Sequence, residues 1–250
     1  MSLLTIIVPV LFTSFHSYSG LNLHLETRRA RAARGGMGSV KCAGNYGAAL
    51  RPLMNCKKHG FHDNVFLELE TLTSSNGTAG GGIKSAVLQE MSAANVFLVL
   101  KTGEIVTPSL DRGTILPGVT RDSVLKLVDV FADELKPILL SSLGEGDSKE
   151  GVVVRASSRD VTVEECMNAT EAFCTGTAAE LVPIYRLATG PDDDASNQFE
   201  VEFPHGKDLP GGPVTNAILT ILREAMVGKR DVGSSWLRDP FALSPEDFAA

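Results

Sequence analysis

Gly38-Ser39-Val40-Lys41-Cys42-Ala43-Gly44-Asn45-Tyr46 is the stretch around which the rest of the chain falls into order. Its lysine stands between a glycine-rich connector and an apolar helical face, flanked by Val40, Cys42, Ala43 and Gly44. Such neighbours suit a solvated ammonium poorly, and burial would favour the neutral amine that Schiff-base chemistry needs. On these residues alone, a lysine that snorkels its charge to the surface is the simpler reading. Downstream, Tyr46, Ala49, Leu50, Leu53 and Met54 share one face of a helix that stops near His59-Gly60. Upstream, residues 21–25 read as a strand.

Further strand-like runs lie at residues 5–10, 65–69, 96–100 and 104–107, all rich in branched and aromatic side chains. A second helix begins near Thr120 and carries Val124, Leu127, Val128 and Phe131 on one face. The last helix is the best delimited. Pro213 fits a first helical position, where no N–H is needed, and Gly228 fits a left-handed terminus. Residues 71–84 and 141–151 are rich in Gly, Ser and charge and read as surface insertions with nothing to pack. Residues 187–212 read as irregular, and the acidic run at 192–194 as a solvated loop. No internal repeat is visible.

Composition narrows the class. A 250-residue chain with 43% hydrophobic and 21% charged residues is long enough and apolar enough for a sizeable core. Its net charge of −7 argues against a nucleic-acid partner. The four cysteines, Cys42, Cys56, Cys166 and Cys174, show neither CxxC nor metal-ligand spacing, so free thiols and no metal site are expected. The first twelve residues lack a basic n-region, and their apolar run of about ten is too short to span a bilayer. No membrane or targeting segment is therefore expected, and no compartment follows.

Three more places carry candidate chemistry. In Leu116-Pro117-Gly118-Val119-Thr120-Arg121-Asp122 a tight turn runs into a helix, whose free N–H groups with the Thr120 hydroxyl suit an anion. A threonine cap after a Pro-Gly turn explains the same residues equally well. Thr175-Gly176-Thr177-Ala178-Ala179 is a small-residue turn that lets backbone approach a ligand closely, although such turns are common. Glu90 precedes a buried-looking strand and must be paired or protonated if it lies inside, a rim position being the plainer alternative.

Taken in order, VKCAGNY, E-x-S-x-x-N-V-F, GTILPGVTRD and EAFCTGTAAE closely resemble the large domain of the branched-chain amino acid aminotransferases, fold-type IV enzymes that use pyridoxal 5'-phosphate (PLP). The resemblance extends over about residues 20–240. It implies a mixed α/β domain, a pseudo-barrel sheet with surrounding helices. It also implies PLP-dependent amino transfer between leucine, isoleucine or valine and 2-oxoglutarate, as in branched-chain amino acid biosynthesis. Lys41 would be the Schiff-base lysine and proton carrier. Tyr46 would hydrogen-bond the phenolic oxygen of the cofactor, and Glu90 would pair with its pyridine nitrogen. Leu116 would pack on the ring. Val119, Thr120 and Thr177 would bind the phosphate, and the turn at Thr177 and Ala178 would take the substrate carboxylate.

The resemblance also sets a domain plan. Residues 1–34 are expected to be the remnant of a small N-terminal domain with its connector, N-terminally truncated, so that their strands keep an exposed apolar edge. Residues 35–250 are expected to form the large PLP-binding domain. The small domain of the family gives an arginine to the phosphate and lines the substrate pocket, and no counterpart stands here; Arg28, Arg29 and Arg31 are read as connector. Arg34 and Met37 stand where the family has proline and threonine. A homodimer taking small amino and 2-oxo acids is the expected assembly. Other fold-type IV enzymes, a D-amino acid aminotransferase or an aminodeoxychorismate lyase, fit the motif wording less well. From a different class, an inactive fragment serving as an interaction module is the remaining alternative.

Overall fold

The computed structural model describes residues 20–72, 82–204 and 211–233. The strand expected at residues 5–10 lies outside them. Nine strands among the described residues build one mixed, curled half-barrel sheet. They are β1 (Leu21–Glu26), β2 (Asp63–Leu67), β3 (Leu88–Met91), β4 (Asn95–Leu100), β5 (Glu104–Pro108), β6 (Arg155–Arg159), β7 (Ala169–Gly176), β8 (Glu180–Ala188) and β9 (Glu200–Glu202). Their spatial order is β3-β2-β1-β8-β7-β4-β5-β6, with β9 paired to β8. The main helices are α1 (Ala43–Lys58), α2 (Val119–Val130), α3 (Ala132–Ser142) and α4 (Pro213–Met226). The parallel pairing of β1 with β2 requires a crossover, and α1 supplies it. No described helix is long and apolar enough to cross a membrane.

The strand period of two divides the apolar residues between two cores. Along β4, Val96, Leu98 and Leu100 face one core with Leu21, Leu23 and Leu25, while Phe97 and Val99 face the other beneath α2, α3 and α4. Phe97 and Phe173 are register partners across β4 and β7, and their rings stack nearly parallel at 5.0 Å. Helix α4 begins at Pro213 as its sequence predicts, and Gly228 takes φ +71° beyond its end. The start of α4 is fastened by buried Glu171 on β7, which accepts from the N–H groups of Val214 and Thr215 and from the Thr215 hydroxyl.

Several expectations change. Strand β1 is no orphan edge; β2 and β8 flank it on both sides. The buried residues of α1 are Ala49, Pro52, Leu53 and Cys56, so Leu50 and Met54 point outward, because the helix presents its small-residue side to β2 and the loop at Phe61. The two insertions are partly packed. Ile83, in a single helical turn at Gly82–Ser85, enters the first core, and Leu143 enters the second. The stretch 187–212 is irregular only in part, since β8 reaches Ala188 and β9 lies within it. In the acidic run, Asp193 is buried against His24 instead of solvated.

Candidate active site

The loop that carries Lys41 is set by its glycines and by Asn45. Gly38 lies so close to Thr114 that a Cβ there would come within 2.5 Å of the Thr114 carbonyl oxygen. The Ser39 N–H donates to the Gly113 carbonyl at 3.2 Å. From the first turn of α1, Asn45 Nδ2 donates to the carbonyls of Met37 and Val40 at 2.6 and 2.7 Å, which holds the loop against the helix. Lys41 is exposed, in line with the simpler reading of its neighbours as those of a surface lysine, and Val40 and Met37 beside it are themselves uncovered.

Glu90 sits on β3 with only 2% of its surface exposed. The Arg31 guanidinium forms an ion pair with its Oε1 at 2.7 Å, the same oxygen accepts from the Leu116 N–H at 2.8 Å, and its Oε2 accepts from Asn95 Nδ2 at 3.1 Å. Burial outweighs both Arg31 and the Leu116 N–H, so the Glu90 carboxyl is pushed up to about 7. Arg31 is buried too, with Nη1 also donating to the Thr114 carbonyl at 3.3 Å. It belongs to the site floor as well as to the connector. Its only sequence signal is its place ahead of the lysine, and the Glu90 it pairs with comes from a distant strand.

The 116–118 turn delivers the start of α2. Gly118 is the cap position and has no side chain to satisfy the first N–H groups, and the exposed Val119 stands open to solvent. Opposite it, β7 and β8 pair as far as Gly176 with Glu180, leaving Thr177, Ala178 and Ala179 as a three-residue hairpin loop. Glu180 takes φ +54° at the end of that loop, and Arg223 on α4 holds its carboxylate at 2.6 and 2.8 Å.

Lys41, Glu90, Leu116, Val119, Thr120, Thr177 and Ala178 thus line one cavity of about 430 Å³, with Asn95, Gly118 and Thr175 among the other wall residues. Tyr46 is not on its wall. It is partly buried on α1, near enough to Arg31 and Glu90 to feel their charges, and burial raises its hydroxyl above the ordinary value. No cluster of three or more metal-ligating side chains occurs among the described residues.

The model of the family described as amino-transferase class IV matches residues 14–187. The chain is a member of this family. Branched-chain-amino-acid aminotransferase 2, chloroplastic, of Arabidopsis thaliana is 36% identical over 88% of this class IV chain and 45% of its own length. Branched-chain-amino-acid aminotransferase 5, chloroplastic, of the same plant is 30% identical over 86% of this chain and 41% of its own length. The chain therefore spans less than half the length of these relatives. The branched-chain amino acid aminotransferase of Thermobaculum terrenum, solved in its PLP form, shares the fold at a TM-score of 0.59 with 23% identity, over 89% of this chain and 56% of that one.

Proposed function

We propose that this class IV chain forms the lysine-bearing, PLP-binding part of a branched-chain amino acid aminotransferase, exchanging amino groups between leucine, isoleucine or valine and 2-oxoglutarate. The observation that carries the reading is the convergence of residues from four separate segments on one cavity of about 430 Å³, a size suited to a cofactor. Its polarity fits PLP. An uncapped helix start at Val119 and Thr120 faces one end, a buried carboxylate on Glu90 lies at the floor, and an exposed amine on Lys41 stands at the rim.

When bound, PLP supplies a cationic ring into which negative charge at the substrate α-carbon spreads. The chain's residues do the rest. The N–H groups of Val119 and Thr120, with the Thr120 and Thr177 hydroxyls, bind phosphate. Glu90 would keep a proton on the ring nitrogen, and Tyr46, which stands on α1 off the cavity wall, would address the phenolic oxygen. Leu116 covers a ring face. Lys41 Nζ would hold the cofactor and, once displaced by the amine of the substrate, would be the free base beside the substrate α-carbon. The loop at Thr177 and Ala178 receives the substrate carboxylate. A second copy of the chain is the proposed partner, supported by Leu50 and Met54, which lie 56% and 59% exposed on α1.

Titrating PLP into the purified chain tests the assignment. A visible absorption band is expected, bleached by leucine, isoleucine or valine. Lys41→Ala should abolish the band and leave thermal unfolding unchanged. A folded wild-type chain that gives no band at any PLP concentration would overturn the proposal.

A further inference from the structure

We propose that Asn95 is a positioning residue that ties the acid floor of the cavity to its anion-binding turn, fixing the distance between Glu90 and the start of α2. The inference rests on reading the cavity as a PLP site, and its test separates the two.

Asn95 is buried at the first position of β4, where its Nδ2 donates to Glu90 Oε2 at 3.1 Å and to the Leu116 carbonyl at 2.9 Å. A carbonyl only accepts, so the nitrogen of this amide must face it, and both of its protons are used. The Leu116 N–H in turn donates to Glu90 Oε1 at 2.8 Å. Three hydrogen bonds therefore close a ring through Glu90, Leu116 and Asn95. On its other side the amide oxygen lies against the backbone of residue 118; a Cβ at Gly118 would collide with Asn95 Oδ1. The backbone of Asn95 is also the register partner of Thr175 on β7, the strand that leads into the Thr177 loop. One side chain and its backbone thus touch the carboxylate, the turn that opens α2 and the opposite wall.

The two carboxylate oxygens are not equivalent. Oε1 accepts from the Leu116 N–H and pairs with the Arg31 guanidinium, whereas among the described residues Oε2 has Asn95 alone. The second acceptor site of Oε2 is left for a donor in the cavity, and Asn95 sets the direction in which it points. A buried asparagine that merely satisfied the Leu116 carbonyl would leave Glu90 indifferent to its loss.

The decisive variants are Asn95→Leu, which keeps approximate volume and removes the donor, and Gly118→Ala, which keeps the amide and pushes it aside. The first readout needs no cofactor: the titration of the Glu90 carboxyl in the free chain, followed by NMR or by infrared difference spectroscopy. Loss of a donor to the charged form should move that titration upward in both variants. The second readout is affinity for PLP, pyridoxal and inorganic phosphate. PLP should bind about ten- to a hundredfold more weakly in Asn95→Leu, the size expected for a hydrogen bond to a charged group. Pyridoxal and phosphate, each meeting only one end, should lose less. In a Glu90→Gln background the Asn95 substitution should have much less effect on PLP binding. A Glu90 titration unmoved in both variants would overturn the proposal, with or without a PLP band. A shifted titration in a chain that binds no PLP would support the tie and sink the cofactor reading instead.

Discussion

Asp193 accepts from His24 Nε2 at 2.7 Å, from the Thr27 hydroxyl at 2.6 Å and from the Gly190 N–H at 2.7 Å. The other ring nitrogen of His24 faces Asn64 Oδ1 at 2.8 Å, so both nitrogens meet acceptors, as an imidazolium requires. Burial opposes charge on the ring, yet Asp193 and Asn64 outweigh it and hold His24 above its usual value. Burial works against Asp193 as well, but its three donors win and bring the carboxyl to about 2. The contribution of Asp193 is therefore present above the ordinary aspartate value and is lost as pH falls toward 2. That of His24 is complete below its unfolded value and is lost as pH rises through its raised one. The pair should be fully effective between about pH 4 and pH 6.5. Asp193→Asn strands a buried cation and is expected to cost about 3–5 kcal/mol at pH 6. Denaturant unfolding checks the cost, and NMR should show the His24 titration dropping; an unchanged midpoint would mean that the pair confers no net stability.

Glu171 shows how one strand residue starts a helix. Its oxygens lie 2.7–2.9 Å from the Val214 and Thr215 N–H groups and the Thr215 hydroxyl. Hydrogen bonds to a charged acceptor are worth about 1.5–3 kcal/mol each. Glu171→Ala should therefore cost about 2–4 kcal/mol by denaturant unfolding, and Gly212→Ala should do similar harm, because its Cβ would land on the same carboxylate. A variant that unfolds at the wild-type denaturant concentration would show that α4 starts without this cap. What the sequence revealed of the elements follows the same division between local and distant causes. Pro213 and Gly228 bound α4 because their signals are local, and β2, β4 and β5 stand out as branched, apolar runs. Strand β6 reads Arg-Ala-Ser-Ser-Arg and exists because β5 offers it a parallel edge, so no apolar run marks it. Strand β7 hides behind Glu171, and β8 behind Pro183. The buried side of α1 depends on which neighbour it meets, which periodicity alone does not tell. In the cavity, Lys41, Glu90 and the two turns are legible from motif wording, whereas Arg31 beneath Glu90, and away from the cavity Asp193 beside His24, depend on partners far apart in the chain.

At the scale of the molecule, the order β3-β2-β1-β8-β7-β4-β5-β6 contains two half-sheets, β1 to β3 and β4 to β6, with no described strand of either paired to the other. The β7–β8 hairpin joins them, β8 lying along β1 and β7 along β4. It also carries Thr175, Thr177 and Ala178 to the cavity wall. Synthesis runs at about 5–20 residues per second, so β1 leaves the ribosome long before its partner on one side has been made. Until that hairpin emerges, both half-sheets keep a bare edge, the feature that invites pairing with other chains. Nascent chains arrested before Ala169 should be readily cleaved by protease and held by chaperones, and those arrested well beyond Ala188 should resist. Resistance gained already at the end of β6 would mean that the halves close without their hairpin. The cavity is thus a late product of translation, completed by the same stretch of chain that removes the exposed edges.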